Sequence, residues 1–193
     1  MKKLESTLLN MVMVLTGFAV FAGGVLATIN HITTEPIAQA NAKALAEAIA
    51  KVVPGFNNEP ASEVDTVTVD GNAYVVYKAK KDGEPIGVAI ESSANGFAGA
   101  LKILVGFDNE GKIIDYSLLS HSETPGLGSK AAEWFRQEGK GDIRGKDLSH
   151  GELTVSKDGG EIDAITASTI TSRAFLVAVG RAYKAFQETN KQQ

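Results

Sequence analysis

From Ser6 to Thr34 the chain has one ionisable residue, His31, and the run from Leu8 to Ile29 is apolar almost throughout. A helix needs about 20 such residues to cross a bilayer, so the pattern predicts one transmembrane span. A cleaved signal peptide has an apolar core of only about 7–15 residues before a small-x-small site; this run is longer and lacks a clean site before Asn30. Lys2 and Lys3 precede the span and Glu35 follows it. The positive-inside bias then places the N-terminus in the cytoplasm and the rest on the periplasmic or extracellular side of the cell (inner) membrane.

After the span the periodicity changes. Ile37, Ala40, Ala44, Leu45, Ala48 and Ile49 recur at helical spacing, predicting a helix over 36–53 that continues from the anchor and stops at Pro54-Gly55. Residues 65–69, 73–80 and 86–92 alternate or are rich in β-branched side chains, and Asp70-Gly71 and Lys81-Asp82-Gly83 separate them, so they read as consecutive antiparallel strands. A hairpin over 101–108 and 112–120 extends the sheet. A short helix is expected over 129–138, where Trp134 and Phe135 supply apolar bulk, and the polar, glycine-rich stretch 139–160 reads as a surface excursion outside the core. The last helix, 169–187, carries the stripe Phe175, Ala178, Ala182, Phe186, and the residues beyond it read as a fraying tail.

The fold class is therefore α+β, a mostly antiparallel sheet with packed helices, preceded by one N-terminal transmembrane helix. The expected division is 1–34 for the cytoplasmic N-terminus and anchor, 35–187 for one extracytoplasmic domain, and 188–193 for a polar tail.

Composition narrows the chemistry. A net charge of -4 gives no basic footprint, so nucleic acid is not expected as a partner. The chain has no cysteine, which excludes thiolate-bound iron–sulfur clusters and disulfides. His31, His121 and His150 have no short ligand spacing, so no metal site is expected. Neither glycine-rich stretch sits in the strand-turn-helix context of a dinucleotide fingerprint, and no catalytic set of side chains stands out.

Two segments carry candidate chemistry. Between Thr166 and Ser172, five of seven residues are hydroxyl-bearing, namely Thr166, Ser168, Thr169, Thr171 and Ser172, at the start of the last helix. The first turn of a helix has free N–H groups and the positive end of the macrodipole, so an anion such as phosphate is stabilised there. The same run also reads as a hydroxyl-rich N-cap, and the residues alone leave both readings open. The second segment is His121-Ser122-Glu123-Thr124-Pro125-Gly126-Leu127-Gly128-Ser129-Lys130. Pro125 fixes φ, while Gly126 and Gly128 permit close backbone approach to a flat ring. Adding a Cβ at either glycine is expected to matter more than removing Glu123, since surface charges such as Glu123 and Lys130 are usually solvated or loosely paired.

With Asp163, Thr166 and Thr169 in its three key places, the hydroxyl-rich run resembles the flavinylation motif of the FMN-binding domain family, D-x-x-[ST]-G-A-T. In that motif the last threonine carries FMN through a phosphoester. Ala167 stands where the motif has glycine and Ser168 where it has alanine; if that glycine adopts positive φ, Ala167 bears a steric penalty there. The string Glu123-Thr124-Pro125-Gly126-Leu127-Gly128 is similar to the one preceding the flavin-bearing threonine in G subunits of Rnf complexes and C subunits of sodium-pumping NADH:quinone reductases. Length and the single span are closer to the former.

The resemblance implies a membrane electron-transfer subunit with covalent FMN on Thr169, inside an oxidoreductase complex that couples ferredoxin and NAD chemistry to sodium or proton translocation. Its implied partners are the other membrane subunits of that complex and a flavin transferase, using FAD and magnesium, that would read Asp163, Thr166 and Thr169. Ser168, a competing hydroxyl beside the acceptor, Thr171, Ser172, Glu123, Thr124, Gly126, Leu127, Gly128 and Lys130 are the further candidate cofactor-binding residues, with Lys130 read as stabilising reduced flavin or its phosphate and Glu123 as orienting the loop. Two other classes stay open: a flavinylated carrier of a different extracytoplasmic redox system, and a cofactor-free anchored structural protein, for which the expected processing signal is missing.

Overall fold

The computed structural model describes residues 7–138 and 141–191. Lys2 and Lys3, which carry the orientation expectation, lie outside them, as do Gly139 and the final two glutamines. Internal contacts divide the chain into two units, Met1–Ala44 and Leu45–Gln193.

The first unit is helical. Helix α1 runs Leu8–Val52 with Pro36 inside it, so the expected span and the helix over 36–53 are one element. Leu8, Phe18, Phe21 and Leu26 are all exposed, and the helix is long and apolar enough to cross a membrane. Its hydroxyls turn inward onto the helix: Thr28 Oγ1 donates to Gly24 O at 2.8 Å and Thr34 Oγ1 to Asn30 O at 2.6 Å. That satisfies polar groups locally, as a bilayer requires.

The second unit is built on a five-stranded antiparallel meander, β1 Val64–Val69, β2 Asn72–Lys81, β3 Glu84–Asn95, β4 Ala100–Phe107 and β5 Ile113–Ser120, in spatial order β1-β2-β3-β4-β5. Asp70-Gly71 and Asp82-Gly83 close the first two hairpins with φ positive at both residues of each pair, the conformation whose twist matches the flanking strands. Helix α3, Thr169–Lys191, covers one face, where Phe175, Ala178, Ala182 and Phe186 meet Val88, Ile90, Ile103, Val105 and Phe107. The last turns of α1 cover the other, with Ile49, Val52 and Val53 against Tyr77, Ala79, Ala89 and Leu104. Because β3 and β4 are buried on both faces, their sequences run apolar where β1 alternates. The approach of α1 is close: a Cβ on Gly106 would lie 2.1 Å from the Val52 carbonyl oxygen.

Three expectations need correction. The helix after the glycine loop is only a 3-10 turn, Gly128–Lys130, followed by the single turn α2, Ala131–Trp134. It is held by Phe135, which stacks on Phe175 at 4.1 Å. The stretch 139–160 is not a surface excursion, because Ile143, Leu148 and Val155 are buried in the main core. Isolated apolar residues spaced by polar turns give no periodicity, so this contribution is invisible to pattern reading. Finally, α3 continues past Gln187 to Lys191, and buried Thr189 donates to Ala185 O, so those residues are packed helix where a frayed tail was expected.

Candidate functional site

The turn into α3 is tightly determined. Ser168 N donates to Ile165 O at 2.9 Å. Fully buried Ser172 accepts from Ile165 N at 2.9 Å and donates to Ser168 O at 3.0 Å. Between them Ala167 sits at φ 61°, a left-handed conformation that disfavours a Cβ. This is the penalty anticipated for a residue standing where the motif has glycine. Ser168 O also accepts the first intrahelical bond, from Ser172 N, which places the N–H groups of Thr169, Ile170 and Thr171 in the helix's first turn, without carbonyls in the preceding turn.

Glu123 joins this turn to two loops. It is only 5% exposed; Thr171 Oγ1 donates to its Oε2 at 2.7 Å, and Phe97 N and Ala98 N donate to its Oε1 at 2.8 and 3.3 Å. Glycines make room for the carboxylate. A Cβ on Gly96 would fall 2.1 Å from Oε1, and one on Gly128 would fall 2.5 Å from Oε2 and 2.9 Å from Thr171 Oγ1. The glycine loop closes on itself, with Leu127 N and Ser129 N donating to Thr124 O and Gly126 N to Ser129 Oγ. Gly126 is at φ 76°, and a Cβ there would point into open space. Glu123 is thus a buried hub where a solvated surface charge was expected, Gly128 is sterically required beside it, and Gly126 meets a demand of backbone angle.

These elements enclose a cavity of about 430 Å³ lined by Phe97, Glu123, Thr124, Leu127, Gly128 and the run 167–171, a size within the range of small-molecule sites. Phe97, Leu127 and Ile170 are exposed large apolar side chains on its lining. Half-buried Thr169 adds its hydroxyl, which accepts from Lys157 Nζ at 3.1 Å. Lys157 lies in a 3-10 turn, Ser156–Asp158. In the same turn Asp158 receives both Nε and Nη2 of Arg173, each at 2.7 Å; the guanidinium holds the Asp158 carboxyl below its ordinary range.

Of the sequence-derived candidates, Glu123, Thr124, Leu127, Gly128, Ser168, Thr169 and Thr171 converge on the cavity. Ser172 lies buried behind it as a tie within the turn, while Gly126 and Lys130 stand outside its lining. Thr166 is exposed; Asp163 accepts from Ser156 Oγ at 2.9 Å, and its carbonyl accepts from Trp134 Nε1 at 2.8 Å. Sequence reading missed Lys157 and the loop carrying Phe97. An exposed phenylalanine between Gly96 and Gly99 in a hairpin turn was the available signal for the second.

An apolar rim for a flat ring, meeting hydroxyls, helix N–H groups and an ammonium at one end, suits a ligand with a planar apolar part and a phosphate. The model of one family, described as the FMN-binding domain, matches residues 96–184, a span that includes every residue lining the cavity. The chain is 31% identical over 191 residues to the G subunit of the ion-translocating oxidoreductase complex of Vibrio cholerae serotype O1, covering 93% of this chain and 90% of the relative. It is 35% identical over 175 residues to its counterpart in Escherichia coli K12, covering 86% and 84%. The chain belongs to this family of G subunits. The fold is also that of the C subunit of the Na(+)-translocating NADH-quinone reductase of Parabacteroides distasonis, with a TM-score of 0.56 at 17% identity over 77% of this chain and 92% of that one. NqrC from Shewanella oneidensis gives 0.50 at 22% identity, over 67% and 68%.

Proposed function

We propose that this chain is the membrane-anchored electron-transfer subunit of an ion-translocating oxidoreductase complex and carries FMN as a phosphoester on Thr169. The observation that carries the reading is the placement of the Thr169 hydroxyl on the first turn of α3, on the lining of the cavity and beside the Lys157 ammonium. Bound FMN supplies one- and two-electron transfer. The chain's own residues supply position. The N–H groups at the start of α3 and Lys157 hold the phosphate end, and Phe97, Leu127 and Ile170 offer apolar surface to the ring. Glu123 locks the three loops that carry them. Attachment keeps the redox group from diffusing away on the far side of the membrane.

In this reading the domain faces the periplasmic or extracellular side, supported by Lys2 and Lys3 before the span. A flavin transferase installs the group, reading Asp163, Thr166 and Thr169. Asp163 and Thr166 lie outside the cavity lining, where an enzyme can reach them without displacing the ring. The other membrane subunits of the complex deliver and accept the electrons, coupling ferredoxin and NAD chemistry to sodium or proton transport.

The test is co-production with a flavin transferase, followed by intact mass and in-gel fluorescence after denaturation. Wild type and Ser168→Ala are expected to carry FMN, and Thr169→Ala to carry none. Labelling that survives in Thr169→Ala and disappears in Ser168→Ala moves the site by one residue.

A further inference from the structure

Thr169 has a neighbour from outside both candidate segments. Lys157 Nζ reaches its Oγ1 at 3.1 Å from a turn bound by two further contacts, one to the segment leading into α3 and one to α3 itself. Ser156 Oγ donates to Asp163 Oδ1, and Asp158 takes both arms of Arg173, a residue in the first turns of α3. The backbone is fixed as well, since Ser156 N donates to Ile162 O at 2.8 Å and Val155 pairs with Ile162. Holding a long lysine side chain in one place opposes its rotamer entropy, and here the turn delivers the ammonium to the hydroxyl from a clamped base. The two cations at this end of the helix are not equivalent. Arg173 is neutralised by Asp158, whereas Lys157 has no carboxylate in ion-pair contact among the described residues. An ammonium on a hydroxyl, at the positive end of a helix, with the Asp158 carboxylate acting on it only at longer range, is placed where a phosphate would add negative charge in direct contact.

We infer that Lys157 is a positioning residue for flavin attachment: it orients the Thr169 hydroxyl for phosphoryl transfer and then pairs with the phosphodiester. The inference rests on Thr169 being the attachment point. In the transfer, Thr169 Oγ1 forms a bond to the flavin-side phosphorus of a flavin dinucleotide. The pyrophosphate P–O bond breaks, AMP leaves with the electron pair, and the hydroxyl proton passes to a base of the transferase or to water. The ammonium offsets the negative charge gathering on the non-bridging oxygens and favours one Thr169 rotamer, without itself gaining or losing a proton.

The experiment follows attachment by intact mass against time, using the full-length chain in detergent, purified flavin transferase, flavin dinucleotide and magnesium. Lys157→Gln is expected to slow attachment about fivefold at saturating transferase, the factor set by an exposed charge pair. Lys157→Arg should restore most of the rate, and the loaded Lys157→Gln protein should show a displaced phosphorus NMR resonance at an unchanged melting temperature. Wild-type kinetics with an unmoved resonance in Lys157→Gln overturns the inference and leaves Thr169 as the site. So does Lys157→Arg as slow as Lys157→Gln, because the charge is then irrelevant. Thr169→Ala run alongside separates the two ideas, since labelling that persists there refutes the attachment point itself.

Discussion

Glu123→Ala removes the acceptor that joins the hairpin loop at Phe97, the glycine loop and the first turn of α3. Two of its three hydrogen bonds are short, from Phe97 N at 2.8 Å and Thr171 Oγ1 at 2.7 Å, and the third, from Ala98 N, is 3.3 Å. A bond to a charged acceptor contributes about 1.5–3 kcal/mol net, so the two short ones sum to roughly 3–6 kcal/mol. Removing a carboxylate that is 5% exposed also removes its desolvation penalty, and the adjoining cavity lets water reach some of the orphaned donors. The remaining loss is about 2–4 kcal/mol, which at about 2–4 °C per kcal/mol for a domain of this size lowers Tm by roughly 5–15 °C. Glu123→Gln is the control. Its amide oxygen can still accept from Phe97 N, and the Thr171 hydroxyl can rotate to accept from the new NH2, so the loss is about 1 kcal/mol. Thermal melting of the full-length protein in detergent, with intact mass for flavin content, measures both. Equal melting temperatures for wild type and Glu123→Ala, or equal damage from Ala and Gln, would refute the assignment of Glu123 as the hydrogen-bonded hub.

Ala167→Gly relieves a Cβ held at φ 61° and should raise stability by about 0.5–1 kcal/mol, a higher Tm with unchanged flavin attachment. Gly126→Ala, at φ 76° but with open space around the new Cβ, should lower stability by about 1 kcal/mol and leave attachment intact. Gly128→Ala, whose Cβ would fall 2.5 Å from Glu123 Oε2, should lose about 2–3 kcal/mol and attach flavin less completely; denaturant midpoints and intact mass compare the two. The Asp158 carboxyl is held below its ordinary value of 3.8 by Arg173. Its contribution is therefore present above that pH and lost as pH falls through the depressed folded-state value, so any Tm difference between wild type and Asp158→Asn should persist through neutral and mildly acid pH and close only in stronger acid.

The meander was legible because each of its signals is local. Asp70-Gly71 and Asp82-Gly83 specify turns whose positive φ values only a few residue types accept, and strand patterns between such turns leave little choice of pairing. The last helix was legible for a similar reason, its buried stripe repeating at helical spacing. What pattern reading could not reach is the segment between α2 and α3. Ile143, Leu148, Val155 and Ile162 enter the core one at a time from irregular backbone, and single apolar residues among glycines and charges look the same whether they are buried or solvated.

The site divides along the same line. The hydroxyl run and the glycine loop were found as separate motifs, each legible from its own spacing, and their meeting through Glu123 and Thr171, 48 positions apart, is a long-range contact. A lone glutamate in a polar loop has a surface reading by default, and nothing within its own segment signals the two N–H donors of the Phe97 loop that bury it. The glycines held the missing information in a form that one sequence does not expose. Gly126 was read as permitting close approach to a flat ring, and its φ of 76° is a second demand for glycine that spacing does not announce. Gly128 and Gly96 make room for Glu123. At Gly128 and Gly96 what the backbone approaches is the protein's own carboxylate, and Glu123 and Gly128 themselves stand on the lining of the cavity.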